Sequence, residues 1–206
     1  MEKAKNVDEY IARQQAAIAS NPECGTSHYN LGIALMGKKQ LQEAKKEFLE
    51  AIECSPGLAE AYVQIGAICL NEGDLEGCLS WNNRAVNARP GFSEGYGNIG
   101  FVHLQRGEVD EAIKALKRAT AFNFRFIQGF ATLANAYLMK GMVDESIENN
   151  LKVLELEPNF AVAHNNLAIA FIEKKDFKAA IPHADKAMEL GYTVAPEILK
   201  TLEPHR

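Results

Sequence analysis

Two strings in this sequence have the form of catalytic motifs, and they overlap. Gly95-Tyr96-Gly97-Asn98-Ile99-Gly100 reads as G-x-G-x-x-G, the glycine pattern that lets a backbone close on a dinucleotide pyrophosphate. That chemistry needs a strand before the glycines and a helix opening after them, so that free amides meet the phosphates. Gly91-Phe92-Ser93-Glu94-Gly95 reads as G-x-S-x-G, in which Ser93 would be a nucleophile on a strand–turn–helix elbow. A serine so used also needs a histidine placed to take its proton. Both motifs therefore depend on the elements that carry them.

The other groups capable of chemistry are sparse. His28, His103, His164 and His183 are spread along the chain, and the spacing predicts that they do not converge. Cys24, Cys54, Cys69 and Cys78 form no C-x-x-C pair and no zinc-type spacing, so they read as reduced thiols of a cytoplasmic protein; Cys69 and Cys78 fall close enough to approach one another. No phosphate-binding Walker loop, H-E-x-x-H or EF-hand pattern occurs, so neither a metal nor a cofactor is expected. The formal net charge of −5 disfavours a nucleic-acid partner, because phosphate backbones are held by clustered Lys and Arg. Residues 1–10 lack the apolar run of a secretion signal, and no stretch is apolar enough to insert in a membrane. With 47% hydrophobic and 24% charged residues, the chain reads as folded.

What must position these residues is set by a period. Asn30-Leu31-Gly32, Gln64-Ile65-Gly66, Asn98-Ile99-Gly100, Thr132-Leu133-Ala134 and Asn166-Leu167-Ala168 follow one another at intervals of 34 residues. Ala44, Cys78, Ala112, Ser146 and Ala180 keep the same step, as do Ala51, Ala85, Ala119, Val153 and Ala187. Within a unit the apolar spacing is helical: Leu31, Ala34 and Leu35 share one stripe, and Leu41, Ala44, Phe48, Ala51 and Ile52 a second. Gly73, Gly107 and Gly141 lie between the stripes, where a left-handed residue ends a helix. Lys39 and Lys175 take that place in the other units and predict strain. Asp74, Glu108 and Asp176 suit the start of the next helix. Ser93 is read as the N-cap of a helix, and Pro182 as a tolerated first-turn proline. Gly or Ala at the eighth position of each unit lets two antiparallel helices approach closely. G-x-G-x-x-G then falls inside a helix, and neither catalytic motif has its strand.

These residues resemble the tetratricopeptide repeat (TPR), a 34-residue pattern with an aromatic, Leu-Gly, an aromatic, Ala, an aromatic, Ala and Pro at set positions. The resemblance covers 25–58, 59–92, 93–126, 127–160 and 161–194 without an insertion. Departures are local. His28 and His164 replace the first aromatic, Asn82 and Asn150 an apolar residue of the second helix, and Phe124 and Tyr192 the proline. Residues 1–24 read as an N-terminal half-repeat helix and 195–206 as a short C-terminal capping helix. The resemblance implies an all-α fold, a right-handed superhelical solenoid of antiparallel helix pairs, within a single domain.

The resemblance also implies a partner-binding groove lined by the first helices. Its sixth position gives Asn30, Gln64, Asn98, Thr132 and Asn166; its ninth gives Ile33, Ala67, Phe101, Asn135 and Ile169; its twelfth gives Met36, Leu70, Leu104, Leu138 and Ile172. In relatives that grip extended peptides, a ladder of Asn at the sixth position pairs with the peptide backbone, since an amide offers donor and acceptor alike. Either such a ladder operates here, or the amides are simply solvated. The twelfth position is apolar throughout, giving an exposed strip or packing between first helices. Gly97 and Ala131 are small beside Phe101 and Leu104, which suggests a pit with an aromatic wall. Relatives that clamp acidic chain ends use Lys and Arg at the second position, whereas here it is Thr26, Glu60, Glu94, Gln128 and Val162. The function read from this is a non-enzymatic adaptor or scaffold for a neutral or basic protein segment with apolar anchors. The alternatives are head-to-tail self-assembly through the N-terminal half-hairpin (Val7, Ile11, Ala17, Ile18), and a regulatory or assembly subunit of an enzyme complex.

Overall fold

The computed structural model describes residues 6–206; the first five residues of the expected half-repeat lie outside them. Among the described residues all regular structure is helical. The helices are α1 (Val7–Ser20), α2 (Gly25–Gly37), α3 (Leu41–Cys54), α4 (Ala59–Asn71), α5 (Leu75–Ala88), α6 (Ser93–Gln105), α7 (Val109–Phe122), α8 (Ile127–Met139), α9 (Val143–Leu156), α10 (Ala161–Glu173), α11 (Phe177–Glu189) and α12 (Pro196–Leu202). They form two compact units, one up to Ile99 and the other from Gly100. In the first, α1 packs on α2, α2 on α3, α3 on α4 and α4 on α5; in the second, α7 packs on α8, α8 on α9, α9 on α10, α10 on α11 and α11 on α12.

The small eighth position explains the tightness of each hairpin. A Cβ added at Gly32 would lie 2.6 Å from the Phe48 ring, one at Gly66 2.5 Å from Asn82 Nδ2, and one at Gly100 2.5 Å from Leu116 Cγ. Each facing side chain is fully buried and sits sixteen residues on, at the twenty-fourth position of the unit. The glycine thus leaves the space its hairpin partner fills. In the last two hairpins Ala134 and Ala168 stand at the eighth position and are themselves fully buried. Leu202 closes the chain by packing, fully buried, with Ala168, Ala180 and Ala184.

A second device ties three of the first helices to the loops before them. Tyr62 donates its hydroxyl to the Pro56 carbonyl at 3.1 Å. His28 Nε2 lies 3.0 Å from the Pro22 carbonyl and His164 Nε2 3.1 Å from that of Pro158, so the imidazole N–H takes the place of the phenol. The same rings pack nineteen residues ahead: Tyr62 on Trp81, with Arg84 over both faces, His28 on Glu47 at 2.7 Å, and His164 on His183. Here the sequence reading needs correction, because His164 and His183 do converge, their Nδ1 atoms 2.9 Å apart. With Nε2 of His164 donating to Pro158, its Nδ1 accepts and His183 Nδ1 donates. His183 also stacks on Phe171. Burial, and then the charge of His164, hold its imidazole below the ordinary value.

The turns repeat as well. Gly73, Gly107 and Gly141 have φ of 78°, 74° and 75°, and Lys39 and Lys175 adopt 62° and 60° without glycine's freedom. Asp74 and Asp176 cap the next helix by accepting from Gly77 N–H at 2.8 Å and Ala179 N–H at 3.1 Å. Glu108 caps nothing with its side chain and instead meets His103 Nδ1 at 2.6 Å and Arg106 Nε at 3.0 Å. The His103 hydrogen bond, with Arg106, holds its carboxyl below the usual range. Two further readings change. Ser93 is the first residue of α6, and its hydroxyl donates to Glu94 at 2.9 Å instead of capping. Pro182 is inside α11, in its second turn, where its ring removes one N–H from the helical ladder. Successive hairpins are laced by lysines reaching back thirty residues: Lys38 to Asp8, Lys140 to Asp110 and Lys174 to Asp144. These exposed pairs set register more than stability.

Four outcomes follow. Gly32→Ala should lower stability in urea unfolding by about 1–2 kcal/mol, the clash with Phe48 exceeding the gain in helix propensity. Gly37→Ala, with nothing within 4 Å of its Cβ, should raise stability by roughly 0.5–1 kcal/mol. Lys175→Gly should raise the thermal midpoint, worth about 1 kcal/mol, by relieving the left-handed turn. The lowered imidazole of His183 means that the unfolded chain binds more protons around its ordinary pKa of 6.5. Stability should therefore fall as pH drops from about 7.5 to about 5.5, and His183→Phe should remove part of that slope.

Candidate functional site

The sixth-position residues are not five equivalent free amides. Asn30 is half-buried on α2. Gln64 is half-buried near the Tyr29 phenol, whose pKa burial and then the charge of Glu60 push up while the Gln64 amide opposes the shift. Asn98 donates from Nδ2 to Asn82 Oδ1 at 3.0 Å. Thr132 turns its hydroxyl to the Gln128 carbonyl of its own helix at 2.7 Å. Asn166 is 7% exposed. The ninth position is outward in three hairpins, where Ile33 is 39% exposed, Phe101 37% and Asn135 exposed as well, and half-buried at Ala67 and Ile169. At the twelfth, Leu104 packs partly against the cluster of Ala112, Leu116, Leu133 and Tyr137, and Ile172 against that of Ala180, Ala184 and Leu202. Met36, Leu70, Leu138 and Ile169 are half-buried. The apolar residues of the twelfth position thus serve the hairpin interiors at least as much as a surface strip.

Within the second unit the first helices enclose one cleft of about 450 Å³. Phe101, Leu104 and Gln105 come from α6, Gln128, Ala131, Thr132, Asn135 and Met139 from α8, and Val162 and Asn166 from α10, with Tyr192 from the loop after α11. Of the residues of the expected pit, Phe101, Leu104 and Ala131 line this cleft, and Ala131 is buried. Leu138, Ile169 and Ile172 stand outside its lining, and Gly97 belongs to the first unit, where it is buried. Four primary amides, a threonine and a tyrosine supply the polar edges, and no Lys, Arg, Asp or Glu takes part.

Several lining residues escaped the positional reading. Gln128 and Val162 sit at the second position, which was weighed only for charge. Gln105 and Met139 sit at the thirteenth, one residue past the expected wall. Tyr192 stands where the repeat has proline, and that departure was the available signal. At the second position of another hairpin, Glu60 is paired with Arg89 at 2.7 Å, so its charge is partly compensated. Gly95–Gly100 is continuous helix within α6, without the strand and loop that either catalytic motif requires.

Residues 25–58 match the tetratricopeptide repeat family, and residues 93–125 match it through a second representation of the same repeat. No curated protein sequence matches the chain. Among solved structures, the chain is similar to YrrB, a TPR protein described as having an unusual peptide-binding site. The two are 21% identical over 93% of this chain and 97% of that one, with a TM-score of 0.70. PilF of Pseudomonas aeruginosa is 13% identical over 97% of each chain, with a TM-score of 0.78. A MamA fragment from Desulfovibrio magneticus RS-1 is 22% identical over 81% of this chain and 94% of that one, with a TM-score of 0.69. At these identities the likeness concerns the fold. With its matched repeats at 25–58 and 93–125, its consecutively paired helices and these structural neighbours, the chain has the fold of a tetratricopeptide-repeat protein.

Proposed function

We propose that this chain is a non-enzymatic adaptor that takes an extended, uncharged segment of a partner protein against its first helices, with one apolar side chain seated beside Phe101. The observation that carries this reading is the chemistry of the cleft in the second unit, which joins amides and hydroxyls to Phe101, Leu104, Met139 and Val162 without an ionisable Lys, Arg, Asp or Glu. A peptide unit entering such a site finds donors and acceptors for both of its polar groups. A charged side chain would lose hydration with no counter-charge to replace it. Flanking basic residues on the partner suit the formal net charge of −5. Among the described residues no helix is long and apolar enough to cross a membrane. We place the adaptor in the cytoplasm, in keeping with its free cysteines. Head-to-tail assembly would require α1 to leave its seat on α2, where Lys38 holds Asp8.

The test is selection from a displayed library of random peptides about a dozen residues long. Selected peptides should share an apolar anchor within an uncharged centre. Phe101→Ala/Asn135→Ala, two exposed positions, should weaken them by about thirtyfold, since a buried aromatic anchor is worth roughly 2 kcal/mol. Leu49→Ala, exposed on a second helix, should leave them unchanged. Peptides that bind wild type and the double variant equally would refute the cleft as the working surface.

A further inference from the structure

The fully buried asparagines at the twenty-fourth position bring in amide groups that packing alone does not require. That position carries Phe48, Asn82, Leu116, Asn150 and Ala184 in successive hairpins, so an apolar side chain fits it. Asn82 is 0% exposed and lies against the bare face of Gly66, on whose missing Cβ its Nδ2 would collide. Its Nδ2 donates to the Cys78 carbonyl at 2.8 Å. A carbonyl can only accept, so this bond fixes which end of the Asn82 amide points inward. Oδ1 then faces α6, and it receives Asn98 Nδ2 at 3.0 Å. The orientation of Asn98 follows in turn, because only its NH₂ can satisfy an acceptor. Its carbonyl oxygen is left as the outward group, one helical turn before Phe101.

We propose that Asn82 is a positioning residue. Through a chain from the Cys78 carbonyl it locks Asn98 with Oδ1 outward, so that this rung takes an N–H donor from the partner. The inference rests on the adaptor reading for its ligand but not for the lock itself. An amide free to flip serves donor and acceptor equally; a locked one selects the partner's backbone register. Asn150 repeats the first half of the device. It is 0% exposed, and its Nδ2 donates to the Ser146 carbonyl at 3.0 Å and to Ser146 Oγ at 3.3 Å. Its Oδ1 is buried without a partner. Asn166 stands sixteen residues on, the register from which Asn98 serves Asn82, and it lines the cleft.

The deciding experiment compares the full chain with Asn82→Leu by NMR, following ¹⁵N relaxation of the Asn98 side-chain amide with Asn30 as reference. Asn82→Leu should fold with an undiminished thermal midpoint, since Leu116 fills the same position, while Asn98 alone loses order. Persistent order of Asn98 in that variant overturns the lock whatever the ligand proves to be. The binding arm uses the strongest peptide from the library selection. Asn82→Leu should weaken it about fivefold to tenfold, as should Asn98→Ala, and the double variant should lose no more than either. Backbone N-methylation at one peptide position should weaken binding to wild type but not to Asn98→Ala. Additive losses, or no such position, would overturn the donor assignment. A selection that yields no peptide counts against the adaptor reading alone, and relaxation of Asn98 still decides the lock.

Discussion

How closely a first helix can approach the second helix of its own hairpin governs the rest of both units. The approach is possible because the eighth position carries Gly or Ala opposite a fully buried side chain at the twenty-fourth. A single methyl there meets Phe48 or Leu116 well inside contact distance. Close approach fixes the angle of the hairpin, and the angle decides which positions of the first helix remain outside. Ile33, Phe101 and Asn135 at the ninth position are exposed because the eighth is sealed and the twelfth leans into the hairpin interior. A binding surface on this scaffold is what close packing leaves over.

The repeat, the hairpins and the left-handed turns were legible because each is a local property recurring at fixed spacing. Lys39 and Lys175 are examples: their strained conformation follows from occupying the place of Gly73, Gly107 and Gly141. What escaped was chemistry made by contacts nineteen or sixteen residues apart. His164 and His183 meet because the fourth position packs on the twenty-third, a relation visible only once hairpin geometry is known. Asn82 likewise looked like a blemish in an apolar series, although its meaning lies in the amide of the next first helix. Ser93 and Pro182 were displaced by only one or two residues, the usual uncertainty of helix ends. Of the candidate groove, position singled out Ile33, Phe101 and Asn135, which are exposed, but not the burial of Gly97, Ala131 and Asn166 or the partners that some amides already have.

The cleft in the second unit shows how a repeat protein acquires chemical character without altering its fold. Amides, a threonine, a tyrosine and apolar side chains line it, some buried in the hairpins, as Ala131 and Asn166 are, and others exposed, as Phe101, Asn135 and Met139 are. Substitutions at the exposed positions can change its chemistry without entering the core. On the adaptor reading proposed above, neutrality is itself selective, because a charged group entering the cleft would lose its water without a counter-charge.

The ring-to-carbonyl tie between a first helix and the preceding loop needs a polar ring tip, and one hairpin has none. At the start of the fourth hairpin Phe130 has no polar tip and Phe124 replaces the proline, so the loop from Asn123 to Phe126 is held without that tie. It also presents Phe124 at 72% exposure next to the exposed Arg125. An exposed aromatic beside an exposed arginine, on a connection lacking its usual staple, is where a protease finds backbone most readily. Cleavage there would separate whole hairpins without cutting through one. The same loop is therefore the natural seam for dividing the chain into complementing fragments or for inserting a foreign sequence.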